Sequence, residues 1–264
     1  MPNITLDDLD IHYLHKIPKS VFKKKKLLYI HGTGCNSKVF QSHMERMGRS
    51  RETIAIDLAG HGLSGGKGFR GVADHAHICG ELLKEVGWDK CTVAGHSLGG
   101  GIALAMALIN PAQVSELIMI DTGARLRVNP ATIEAAKLYA QGKKTPDLLN
   151  RTGFAKATNK NLVVETNQIM MACDPSVTLR DWIADDTCDF MARVKEIHAP
   201  TLAICGREDD LTPVKYHEYL VNTMPNCTLK IIDDAGHWTF LEKPDDFYNH
   251  LDTWLSRFEN TNPI

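Results

Sequence analysis

Long apolar runs are missing from this sequence. None reaches the roughly 18 residues that a membrane-crossing helix needs, and the first twenty residues, MPNITLDDLDIHYLHKIPKS, lack the charged-then-apolar order of a secretory signal. An excess of charge is missing too. Thirty Lys and Arg stand against 32 Asp and Glu over 264 residues, a formal net charge of −2. The broad basic field that holds a phosphate backbone is therefore absent, and no nucleic-acid partner is expected. The seven cysteines are scattered, odd in number and nowhere spaced C-x-x-C. That excludes a zinc ribbon or a disulfide framework and leaves free thiols in a reducing compartment. There is no H-E-x-x-H, and His75, His77 and Cys79 at i, i+2 and i+4 would not share one helix face; no metal site is expected. Internal repeats and low-complexity tracts are absent. What is present is a chain of ordinary composition, 43% apolar and 23% charged, long enough to bury a large core. The expectation is a soluble, cytoplasmic protein without membrane contact.

Six short apolar segments punctuate the chain: 27–32, 53–58, 91–97, 117–121, 201–206 and 228–233. They are nearly continuous in hydrophobicity, as parallel strands covered on both faces are. Helical stretches separate them at 71–87, at 98–110 ahead of Pro111, and at 245–258 after Pro244. Strand–helix alternation predicts a parallel sheet with right-handed crossovers. The first twenty residues alternate and predict an antiparallel edge hairpin. From 122 to 198 no strand is evident. Four helix-like stretches follow one another there, PATIEAAKLYAQG, PDLLNRTGFAKAT, NLVVETNQIMMAC and SVTLRDWIADDT. Nearly eighty residues are too many for a connecting loop. The expected organisation is a core of 1–121 and 199–264 carrying a helical cap of 122–198 over the carboxyl ends of the strands, where ligands bind in such sheets.

The strongest local signal is AGHSLGG at 94–100. An apolar strand runs into Gly95-His96-Ser97-Leu98-Gly99, and an apolar helix follows at once, the strand–turn–helix context of a nucleophile elbow. Ser97 is the candidate nucleophile, raised on a strained turn whose neighbours must be small. A base and an acid are needed beside it. His237, on a loop after the segment 228–233, is the candidate base. Asp209, three residues past Gly206, is the first candidate for the orienting acid; Asp121, at the end of 117–121, is the alternative, with Glu208 and Asp210 read as solvated neighbours. The backbone N–H of Thr33, in the glycine-flanked loop His31-Gly32-Thr33-Gly34, would join that of Leu98 as an oxyanion hole, with Gly34 as the alternative to Thr33.

Taken together, HGTG (31–34), DLAGHGLSGG (57–66), GHSLGG (95–100), PTLAICGREDDLTP (200–213) and AGHWTFLEKP (235–244) resemble the α/β-hydrolase family, in the family's order and across the chain outside 122–198. The resemblance implies an α/β-hydrolase fold: a mostly parallel eight-stranded sheet flanked by helices, with a helical cap inserted after strand 6. It implies the triad Ser97–Asp209–His237 and no cofactor. Ser97 stands where epoxide hydrolases and haloalkane dehalogenases carry Asp. The GHW of 236–238 is similar to carbon–carbon bond hydrolases of aromatic degradation, whose elbows more often carry Asn at the place of His96. The activity expected is that of a serine hydrolase acting on a carboxylic ester, a small-molecule acyl substrate. A lactonase, a thioesterase and a carbon–carbon bond hydrolase are alternatives on the same triad, and a hormone-receptor-like binding protein is the rival outside enzymes.

Four further signals have simpler readings. Gly66-x-Gly68-x-x-Gly71 sits too far behind the preceding strand for a dinucleotide turn. Lys23–Lys26 reads as a solvated basic turn. Asp57 and His61 read as holding their glycine-rich loop together. Phe154, Met170, Met171 and Trp182 of the cap, and Trp238 beside the histidine, are candidates to line an apolar acyl pocket.

Overall fold

The computed structural model describes residues 2–19 and 25–259. The chain opens with the anticipated hairpin. Strands β1 (Asn3–Leu6) and β2 (Leu9–Lys16) pair antiparallel, joined by Asp7 and Asp8 at φ of 46° and 63°. Two successive left-handed residues give a turn whose twist matches that of the strands. The six apolar segments form β3 (Lys26–Ile30), β4 (Glu52–Ile56), β5 (Cys91–His96), β6 (Val114–Ile120), β7 (Thr201–Gly206) and β8 (Cys227–Ile232). All eight strands make one sheet in the order β1-β2-β4-β3-β5-β6-β7-β8. Strand β2 alone runs against its neighbours. The chain leaves β3 for β4 on one side and returns to β5 on the other, so the carboxyl ends of β3 and β5 flank a switch point, the place where a crevice opens in sheets of this kind.

Alternate strand residues enter two separate cores, which is why the segments read as uniformly apolar. Leu28, Ile30, Val93, Leu117 and Met119 pack on one face under α2 (Val72–Glu85), α3 (Leu98–Ile109) and α7 (Val214–Thr223). Leu27, Tyr29, Ala94, Ile118 and Ile120 pack on the other under α1 (Gln41–Met47), α8 (Thr239–Glu242) and α9 (Pro244–Glu259). All seven cysteines are free thiols, six of them buried. Among the described residues no helix is long and apolar enough to cross a membrane.

The stretch between β6 and β7 holds α4 (Pro130–Ala140), α5 (Lys160–Met171) and α6 (Pro175–Thr187). Each starts on an Asn or Asp whose side chain accepts from the backbone N–H two residues on. An antiparallel bridge between Arg125 and Asp189 draws the two ends of the stretch together. One expectation fails here: 146–158 is not a helix but a run of turns. Its backbone N–H groups are taken by carboxylates of the core instead. Gly153 N donates to Asp210 Oδ1, Ala155 N to Glu242 Oε2 and Lys156 N to Glu208 Oε2, at 2.9, 2.9 and 3.0 Å. Glu208 and Asp210 are therefore anchors for this segment rather than solvated neighbours.

The basic run at 23–26 also differs from its reading. Lys23 and Lys24 lie outside the described residues. Lys25 Nζ reaches the buried Glu116 Oε1 at 2.5 Å, while Thr92 Oγ1 and Ser115 Oγ donate to Glu116 Oε2 at 2.7 and 2.5 Å. Burial would raise the Glu116 carboxyl, but these donors outweigh it and hold it below the usual range. Lys25→Met should therefore lower stability at neutral pH by about 1–3 kcal/mol, as expected when a buried carboxylate loses a charged partner. In urea titrations the deficit should shrink as pH falls through the depressed Glu116 pKa, where the native chain loses the same charge.

Candidate active site

Strand β5 ends at His96, and Ser97 follows with φ 53° and ψ −118° before α3 begins at Leu98. A non-glycine residue at positive φ is strained, and the surroundings hold it there. Ser97 N donates to Ile120 O at 3.0 Å, and the Ser97 carbonyl accepts from Thr122 Oγ1 at 2.8 Å. The turn admits no bulk: a Cβ on Gly95 would collide with the Gly99 carbonyl, and one on Gly99 with the Ile30 carbonyl. The strand, the helix and the end of β3 are thus pressed together around Ser97, as the glycine spacing predicts. Leu98 is the first residue of α3, where backbone N–H groups have no partner within the helix.

His237 lies beyond β8 and is 3% exposed. Its Nδ1–H donates to Asp209 Oδ2 at 2.9 Å. Asp209 in turn accepts from Leu211 N and Thr212 N through Oδ1 and from Thr212 Oγ1 through Oδ2, at 2.9, 2.8 and 2.7 Å. Burial would raise the Asp209 carboxyl, but the His237 charge and these donors drive it well below the carboxylate range. Burial would likewise lower His237, and Asp209 overrides it, raising the imidazole to about 8. The alternative acid, Asp121, does not engage His237. Its oxygens accept from Gly206 N at 3.1 Å and from Thr239 N and Oγ1 at 3.0 and 2.7 Å, tying the end of β7 to α8. Burial, reinforced by the nearby Asp209 charge, pushes Asp121 up to about 8.

Two supports of the histidine had no sequence signal beyond their presence in a motif. His96, between Gly95 and Ser97, is buried and held well below its ordinary pKa, chiefly by that burial. Its neutral Nε2–H donates to the His237 carbonyl at 2.8 Å. Glu242 accepts from Gly236 N and Trp238 N on either side of His237, at 2.9 and 3.2 Å. The His237 N–H itself donates to Gly153 O of the inserted stretch at 2.5 Å.

The loop after β3 lies directly against the elbow, since a Cβ on Gly32 would come within 3.0 Å of Ser97 Cβ. His31 is neutral, lowered to about 3 chiefly by burial; its Nδ1–H donates to Gly32 O and its Nε2 accepts from Leu58 N, at 2.9 and 3.1 Å. Of the two donors considered after β3, Gly34 N–H is engaged by Asp181 Oδ2 at 2.8 Å. Thr33 borders the cavity beside Ser97. Asp57 does hold its loop, accepting from Ser37 N and Leu63 N at 2.6 and 2.9 Å. His61 holds it too, its Nδ1–H donating to Ala59 O at 3.1 Å, and its Nε2 also reaches across to Asp181 of α6, at 2.8 Å.

A cavity of about 570 Å³ opens above Ser97 between the sheet edge and the inserted helices. Ser97, His237 and Thr33 lie on its wall, as do all the apolar candidates, Phe154, Met170, Met171, Trp182 and Trp238. Tyr139 and Tyr216, not anticipated, join them. Arg127 is the one Lys or Arg among the described residues that line it, and it is exposed at the rim; Asp147, Asp185 and Asp210 are the acids.

Comparison with known proteins agrees with this architecture. The alpha/beta hydrolase family model matches residues 27–250. A 2-hydroxy-6-oxononadienedioate/2-hydroxy-6-oxononatrienedioate hydrolase of Dechloromonas aromatica is 30% identical over 181 residues, 63% of this chain and 62% of that protein. A pimeloyl-acyl-carrier-protein methyl ester esterase of Aliivibrio fischeri is 26% identical over 258 residues, 88% of this chain and 93% of that one. Among solved structures, a thermophilic esterase superposes with a TM-score of 0.83 at 30% identity over 97% of both chains. The enol-lactonase of Burkholderia xenovorans shares the fold, with a TM-score of 0.89 at 16% identity over 97% of this chain and 100% of that one. With its eight-stranded sheet, its elbow and a family match over most of its length, the chain belongs to the alpha/beta hydrolase family.

Proposed function

We propose that this hydrolase cleaves an uncharged carboxylic ester through an acyl-enzyme on Ser97. The reading rests on one arrangement: His237, fixed on Asp209 at 2.9 Å, and the strained Ser97 face the same cavity. In this mechanism His237 Nε2 takes the Ser97 proton as the hydroxyl attacks the ester carbonyl. Asp209 holds the imidazole with its proton on Nδ1 and stabilises its cation. The N–H groups of Thr33 and Leu98 receive the charge that develops on the carbonyl oxygen. The alcohol leaves with the proton from His237, and water, activated by the same imidazole, releases the acid. The inserted helices act as a cap whose aromatic and methionine side chains hold the acyl chain.

Charge on the cavity wall favours an ester over the alternative suggested by the Dechloromonas relative, whose named substrates are dicarboxylates. A dianion entering this cavity meets three exposed charges, Arg127, Asp147 and Asp210, and the buried Asp185, an uncharged acid near neutrality. The one buried cation among the described lining residues, His237, is already paired with Asp209 and must be neutral to act as base, so desolvating the dianion is costly. Esterases among the relatives and structural neighbours support the same choice.

Three outcomes follow from this reading. A fluorophosphonate probe should label the protein, and Ser97→Ala should abolish both labelling and turnover; a labelled Ser97→Ala variant would contradict it, and an unlabelled native chain would favour a binding protein. On nitrophenyl esters of rising acyl length, turnover should exceed that on a vinylogous diketone acid; fast diketone cleavage with little ester turnover would favour the carbon–carbon hydrolase. Because His237 accepts a proton only when neutral and titrates at about 8, kcat/KM should rise with pH from the acid side toward that value. Asp209→Asn removes the charge that raises it, so the rise should move to lower pH while kcat falls by about 10⁴-fold.

A further inference from the structure

The loop that carries Thr33 is gripped by the inserted helix α6 as well as by the sheet. Asp181 and Asp185, four residues apart and so on one helix face, both point into it. Asp181 Oδ2 accepts from Gly34 N and pairs with His61 Nε2, each at 2.8 Å. Asp185 Oδ2 accepts from Thr33 Oγ1 at 2.6 Å. The two carboxyls are 0% and 3% exposed, and each keeps its Oδ1 buried without a hydrogen-bond partner among the described residues.

Their partners differ in charge. Asp181 faces an imidazole that, although burial opposes it, Asp181 itself raises well above the ordinary histidine value. Asp185 faces only a neutral hydroxyl, and an ionised carboxylate with one oxygen buried and unpaired is costly. We propose, on the acyl-enzyme reading above, that Asp185 is a positioning residue which holds the Thr33 loop against Ser97, making α6 a working part of the oxyanion site.

The protonation state of Asp185 matters to that role. Burial pushes its carboxyl up to about 8; the Thr33 hydroxyl and His237 pull it back, and Asp181 and Asp186 add to the rise. The other titratable groups nearby are Cys188 at the end of α6 and His61 behind Asp181. Near neutrality Asp185 is therefore an uncharged acid beside the place where a substrate oxygen becomes negative. Ionisation above about pH 8 sets a negative charge next to that oxygen and opposes the transition state. Movement of α6 away from the sheet would release Thr33 and Gly34 together, so acylation belongs to the closed arrangement.

The test is the second-order rate of fluorophosphonate labelling of Ser97 across pH 6 to 10, read beside kcat and KM for a nitrophenyl ester. This covalent step uses the same oxyanion site whatever the natural acyl group. The native chain should show a rise governed by His237 and a fall at higher pH governed by Asp185. Asp185→Asn should cost about fivefold near neutrality with KM little changed and should lose the fall at high pH; Asp185→Ala, which releases Thr33, should cost about a hundredfold in kcat. Thr33→Val should resemble Asp185→Ala, and Thr33→Ser should recover all but about tenfold. This pair decides the matter if Asp185→Ala does not fold. A native high-pH fall that persists unchanged in Asp185→Asn, or Thr33→Val equal to Thr33→Ser, would overturn the role of Asp185 while leaving the acyl-enzyme reading intact. A native chain that is not labelled at all would overturn both.

Discussion

A buried carboxylate bonded to a buried imidazole, Asp209 with His237, is the contact to which the rest of this site is fitted. Taking such a pair out of water is costly unless the remaining lone pairs are satisfied. The turn after β7 meets that requirement with two backbone N–H groups and the Thr212 hydroxyl. Burial then favours the neutral form of the other carboxyls nearby, since further negative charge in so small a buried volume is costly. Asp121 and Asp185 are both raised to about 8, chiefly by burial. Three acids close to one histidine thus divide into one charged partner and two uncharged hydrogen-bonding groups, a separation made by environment alone.

The inserted helices and the hydrolase core share their hydrogen bonds. Gly153 O receives the His237 N–H, Glu242 joins the histidine loop to Ala155, and α6 grips the loop after β3. The segment that shapes the cavity is therefore wired into the groups proposed to do the chemistry. A change of specificity made by substitution in this stretch would be felt at His237 and Thr33 as well as on the cavity wall.

Much of this was legible in the amino-acid sequence, for physical reasons. Parallel strands buried on both faces must be apolar throughout, so β3 to β8 stand out, and the elbow must have glycine at 95 and 99 because neighbouring carbonyls occupy the space of a Cβ. The order of Ser97, Asp209 and His237 along strand ends was readable for the same reason, since each follows an apolar segment. Long-range polar contacts were not readable. Nothing local distinguishes Asp185 or Asp181 from any helical aspartate, Glu242 from a surface acid, or Lys25 from its neighbours in a basic run; each acquires its role from a partner between 87 and 152 positions away. The turns at 146–158 were misread as a helix because their stabilising carboxylates lie in other parts of the chain. His96 was visible only as a departure from a motif, although it braces the carbonyl of His237.

The proposed covalent intermediate can be sought directly. The protein is mixed with an activated ester that deacylates slowly, quenched with acid during turnover, digested and analysed by tandem mass spectrometry. The expected result is an added acyl mass on the peptide spanning the elbow, localised to Ser97 and decaying as substrate is exhausted. Steady turnover with no adduct, or an adduct confined to another side chain, would contradict the proposed chemistry.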